Sequence, residues 1–128
     1  MRRDKNDTKW KNVKEKVSKR DKSCRFIKKL SVKEYLLLQK VAPRKLLETL
    51  DHAHVFAVSL VPSLCYDERN IVLLNRYSHH NLDNCKHPIT GEMITREERD
   101  SFWKRIIGET TFLALEEQAT SKEEILNE

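Results

Sequence analysis

Two short stretches of the chain concentrate the side chains that bind cations and move protons. Leu50-Asp51-His52-Ala53-His54-Val55-Phe56 holds a carboxylate and two imidazoles. Asn70 to Asp83 holds an amide, imidazoles at His79 and His80, a guanidinium at Arg76 and a second carboxylate. A neutral imidazole takes a proton near neutral pH, and a mixed carboxylate–imidazole set accepts a divalent cation. The chemistry this favours is hydrolysis of a phosphodiester. Such a reaction needs a deprotonated water, neutralised phosphate charge and help for the leaving oxygen. Asp51 and His79 are the expected ligands, His54 or His52 the expected base, and Arg76 a bidentate phosphate contact. Mg²⁺ keeps several waters and needs few protein ligands, so one Mg²⁺ or Mn²⁺ ion is expected, with Zn²⁺ or Ni²⁺ the other options.

These residues need a scaffold. Leu50 to Phe56 reads as a strand, which puts His52 and His54 on one face and Asp51 on the other. Ile71-Val72-Leu73-Leu74 is a second strand, apolar enough to be buried on both faces. Asn75 or Ser78 then caps a helix on which His79 and Asp83, four residues apart, share a face. His80 and His87 read as exposed bystanders. Upstream, a helix starts at Thr8 with Trp10, Val13 and Val17 on its apolar side. A short strand is expected at Cys24-Arg25-Phe26-Ile27, and a helix from Ser31 that Pro43 breaks, with Pro43 opening the next turn at its first helical position. Downstream, Pro88 and Gly91 punctuate a turn, and Thr95 with Glu98 forms a capping box for a helix that Gly108 ends. A further helix covers Thr111 to Ala119, and Ser121 to Glu128 reads as a short frayed one. The fold class is α+β, a mostly helical small domain around a short antiparallel hairpin. Residues 1–8 read as a flexible basic N-terminus, 9–119 as one domain and 120–128 as an acidic tail.

Composition narrows the partners. The 128 residues carry 25 Lys and Arg against 20 Asp and Glu, a net charge of +5. The basic excess gathers in the first 29 residues, which suits a polyanion at that end. Lys11, Lys14 and Arg25 are the expected phosphate contacts there, with Arg76 nearer the site. The three cysteines form no Cys-x-x-Cys pair, which excludes a four-cysteine zinc knuckle and any disulfide framework. No apolar run is long enough to span a membrane, and a reducing, cytoplasmic setting is expected.

The pattern Asp51-His52-Ala53-His54, then Asn70-Ile71-Val72, then His79 nine residues after Asn70, resembles the HNH (ββα-metal) endonucleases. Its Asp-His-x-His part is similar to the phage endonuclease VII branch, and the stretch Asn70 to Asp83 to small phage HNH proteins. Trp10, Val13, Val17, Arg20-Asp21 and Cys24-Arg25 also look like the opening of many HNH domains, so the resemblance spans residues 10–84. It implies a ββα-metal core, a hairpin histidine as general base, and metal ligands at Asp51 and His79, with Asp83 a further acidic position. It implies that Asn70 holds the loop and first strand together by hydrogen bonds. The base stays open between His52 and His54, with His54 preferred. Many members pair cysteines around a structural zinc; here the matching places are Cys24 without a partner, Asn75 and Ser78, so packing must replace that metal.

The expected function is therefore a metal-dependent nuclease that nicks or cuts DNA with weak sequence preference. A phage packaging or recombination role is what the resemblance suggests, in a bacterial host cell if the chain is phage-encoded, and a homodimer would supply two cuts. The rival readings are a nucleic-acid binder with a vestigial site, and a structural zinc module built from histidines.

Overall fold

The two central stretches pair as an antiparallel hairpin, β1 (Leu50–His54) with β2 (Ile71–Asn75), His52 opposite Leu73 and His54 opposite Ile71. This is seen in a computed structural model that describes the backbone of residues 2–127 and the side chains of residues 8–120. Around the hairpin lie α1 (Arg2–Asp21), α2 (Arg25–Lys28), α3 (Val32–Val41), α4 (Arg44–Glu48), α5 (Arg76–Asp83), α6 (Arg96–Ile107) and α7 (Glu109–Asn127). The class is α+β and mostly helical. No helix among the described residues is long and apolar enough to cross a membrane.

Every residue of β2 is buried. Val72 and Leu74 enter the main core beside Phe26, Leu38, Leu64, Ile106 and Phe112. Ile71 and Leu73, on the opposite face, pack against Val17, with Trp10 and Val13 at the margin. A strand flanked on both sides reads as an unbroken apolar run, as this one does. Each fully buried aliphatic side chain contributes about 1.5–3 kcal/mol, so the strand carrying the site's neighbours is also among the most firmly held parts of the fold.

The outer edge of β2 is closed by side chains. Leu73 N donates to Asp21 Oδ2 at 3.0 Å, Arg20 donates to Ile71 O at 2.6 Å, and Asn75 N donates to Cys24 Sγ at 3.2 Å. Unpaired edge groups invite a further strand unless they are covered. This explains why the expected strand at Cys24–Ile27 is instead the helical turn α2. The edge it would have joined is already occupied, and the turn places Phe26 in the core.

Helix ends follow the local chemistry. Ser31 caps α3 and Thr95 caps α6, each in a full capping box, with Glu34 and Glu98. Pro43 sits at the N-cap of α4, one place before its expected position. Asn75, rather than Ser78, caps α5, its side chain accepting from Ser78 N. Gly108 ends α6 with φ 92°, a conformation that favours glycine. Two helices run longer than expected, α1 from Arg2 and α7 to Asn127. Neither extension contains Pro or Gly, and Arg, Lys, Glu and Ala favour helix.

Candidate metal centre

Asp51 and His79 meet where β1 passes the first turns of α5. Asp51 Oδ2 lies 2.9 Å from His79 Nδ1. The other ring nitrogen, Nε2, lies 3.1 Å from Asp83 Oδ2. A carboxylate oxygen beside each ring nitrogen favours the protonated form of His79. Burial works against that charge, but hydrogen bonds to the Asp83 and Asp51 carboxylates outweigh it and raise the His79 pKa. Burial likewise pushes Asp51 up, and hydrogen bonds from Arg76 and His79 more than reverse this, leaving its pKa lowered.

His80 completes the group. One ligand atom each from Asp51, His79 and His80 lie within 4.8 Å of one another, close enough to share a cation. The donor set, one carboxylate and two imidazoles, suits a first-row divalent ion. Such an ion would take the place of the His79 proton at Nδ1. Asp83, expected as a ligand, lies on the opposite ring nitrogen. A carboxylate there fixes the ring's orientation for a cation at the other nitrogen. His80 was missed by sequence reasoning because adjacent helical residues diverge by about 100°. Only the docking of α5 against β1 reveals that both rings reach Asp51.

The hairpin histidines sit on the α1 face of β1. His52 Nε2 lies 2.9 Å from Ser18 Oγ and 3.2 Å from Lys14 O. A carbonyl only accepts, so Nε2 carries the proton of the neutral ring and Nδ1 keeps its lone pair. Burial lowers the His52 pKa and favours that neutral form. His54 Nε2 lies 3.0 Å from Cys65 O, to which it donates. The His54 ring also stacks on Trp10, centroids 5.3 Å apart.

Two cavities meet at His79. The shallower is lined by Trp10, Lys14, Asp51, His52, Arg76, His79 and His80, so the possible cation ligands and one candidate base open on one space. The deeper one, about 700 Å³, is lined by both hairpin histidines, His79 and Asp83, with Arg96 and Arg99 from α6.

Asn70 is buried behind this arrangement. It receives Phe56 N at 2.7 Å and donates to Phe56 O at 3.1 Å and Leu64 O at 3.2 Å. These bonds tie the 57–69 loop to the end of β1, and the residue touches no part of the cluster through them. The expected phosphate arginines are engaged elsewhere. Arg76 grips Asp51 through Nη2 at 2.9 Å and Nε at 3.2 Å. Arg25 lies 3.7 Å from Asp21, and burial lowers its pKa. Both are held because a buried or half-buried carboxylate beside them needs a cation. Lys11 is exposed on α1, and Lys14 Nζ lies 5.5 Å from the Trp10 ring centroid. Compared with known proteins, the chain matches no family model, no curated protein and no solved structure.

Proposed function

We propose that the protein is a metal-dependent nuclease that hydrolyses phosphodiester bonds of DNA, with the cation held by Asp51, His79 and His80. The observation that carries this reading is the convergence of those three ligand atoms in a cavity shared with a neutral imidazole, His52. When bound, a divalent cation would polarise the phosphate and stabilise the leaving oxygen. His52, with its proton on the nitrogen facing Lys14 O, offers the Nδ1 lone pair to a water as general base. Asp83 orients His79 from behind, and Arg76 holds Asp51 in place. Lys11 and Lys14 on α1 supply charge for the DNA backbone. DNA is the partner, contacted through phosphates and so with weak sequence selectivity.

A second reading uses the other face of His79. The neutral form of His54, donating from Nε2 to Cys65 O, has its lone pair at Nδ1, and His54, His79 and Asp83 line the deeper cavity together. There His79 and Asp83 would hold the cation, and His54 would serve as the base. Supercoiled plasmid incubated with Mg²⁺ or Mn²⁺, with and without chelator, separates the two. Loss of nicking in His52→Ala and Asp51→Asn, with His54→Ala active and Asp83→Asn weakened but not inactive, selects the first reading. The reverse pattern selects the second. DNA binding by the wild type without cleavage under any metal would make the protein a non-catalytic binder.

A further inference from the structure

We propose that Arg96 and Arg99 of α6 bind the nucleic-acid backbone in the deeper cavity, which shares His52 and His79 with the shallower one, an inference that rests on the nucleic-acid reading above. The argument begins with which arginines are committed. Of the eight whose side chains are described, Arg20, Arg25, Arg44, Arg69, Arg76 and Arg105 each form an ion pair with a carboxylate. Arg96 and Arg99 form none among the described residues. They are three apart on one helix, so they project from the same side, and both line the deeper cavity with His54 and His79.

Arg99 carries a second mark. Its Nε is buried and has no hydrogen-bond partner among the described residues. Burying a charged donor without a partner is destabilising. A fold has little reason to keep such a group, whereas a ligand site does. Asp100 and Glu116 share the cavity wall, and neither forms an ion pair with the two arginines. Among the described residues, then, neither guanidinium is tied up in an ion pair, and both remain available to a ligand. Guanidinium groups match phosphate oxygens in a planar, two-pronged geometry that lysine cannot reproduce. The ligand class is the phosphodiester backbone, and the contact comes from a helix outside the hairpin and α5.

The test measures binding of a fluorescein-labelled 30-base-pair duplex to the full chain across a salt series, in chelator so that no chemistry intervenes. Arg96→Ala/Arg99→Ala is compared with wild type and with Lys33→Ala/Lys40→Ala, a control of equal charge change on α3. Losing two phosphate contacts should flatten the slope of log affinity against log salt by about 1.8. The control should keep the wild-type slope, and Arg96→Lys/Arg99→Lys should fall between. Melting temperature should be unchanged in the alanine pair, which excludes unfolding as the cause. A wild-type slope in the alanine pair, or an equal loss in the control, overturns the inference while leaving the nuclease reading intact. An arginine-dependent slope in a wild type that never nicks plasmid upholds the inference and overturns the nuclease reading. A wild type that binds no DNA overturns both.

Discussion

Asn70 and Phe56 are locked by a reciprocal pair of hydrogen bonds, Phe56 N to Asn70 Oδ1 at 2.7 Å and Asn70 Nδ2 to Phe56 O at 3.1 Å. The amide thereby imitates the backbone of a strand and extends the hairpin two residues beyond His54. Replacing it with alanine strands the Phe56 N–H and two carbonyls, at about 1–3 kcal/mol for each buried group left unsatisfied. We expect Asn70→Ala to lose several kcal/mol in urea unfolding. If Asn70→Ala unfolds at the wild-type urea midpoint, the clamp contributes nothing.

The possible cation group makes a direct prediction about stability. A ligand that binds only the folded chain raises its melting temperature in proportion to the logarithm of its concentration. Mn²⁺ or Zn²⁺ should therefore raise the melting temperature, and Asp51→Asn or His79→Ala should abolish the rise. Chelator should leave the fold intact, because the hairpin is held by its own core. Unfolding in chelator would instead favour a structural zinc module.

Cys24 stands at the centre of a hydrogen-bonded knot. Its sulfur accepts from Asn75 N at 3.2 Å and Nδ2 at 3.4 Å, Asn75 Nδ2 donates to Ser78 Oγ at 3.1 Å, and Ser78 Oγ donates to Pro88 O at 2.9 Å. Cys24→Ala should destabilise by about 1–3 kcal/mol, since the buried Asn75 N–H loses its acceptor. Cys24→Ser, which keeps an acceptor, should recover part of this. Equal melting temperatures for the two variants would show that volume, not hydrogen bonding, decides the site.

Glu34 ties α3 to α6 and gives the fold a pH signature. Hydrogen bonds from Arg105, then from Ser31, bring its pKa down to about 2 from the ordinary 4.5. A depressed carboxyl stabilises the fold above its unfolded pKa, and that stability is lost as pH falls through the folded value. The pair is partly exposed, so its worth is at most about 1 kcal/mol. Glu34→Gln should lower stability at pH 7, and the gap from wild type should close as pH approaches 2. A gap that persists there would assign the loss to the capping box instead.

Much of this arrangement was legible in the sequence because its causes are local. The apolar run Ile71–Leu74 predicted a doubly buried strand, and the Thr95–Glu98 box and Gly108 gave both ends of α6. The approach of Asp51 to His79 was expected from the resemblance, which made both of them ligands. What escaped was set by tertiary packing. The Cys24–Ile27 segment looks extended by composition, but the side chains of Arg20, Asp21 and Cys24 take the edge it needed. Arg76 has the sequence context of a phosphate ligand, yet Asp51 claims it. His80, Arg96 and Arg99 gain their meaning only from the docking of α5 and α6, which no residue spacing encodes.

The sealed flank of β2 leaves β1 as the one border of the two-stranded sheet with no strand or edge-capping side chain described along it. The same strand carries His52 and His54 on its α1 face. A second polypeptide paired along that border would lie beside them, so self-association by that route would crowd the approach of a substrate.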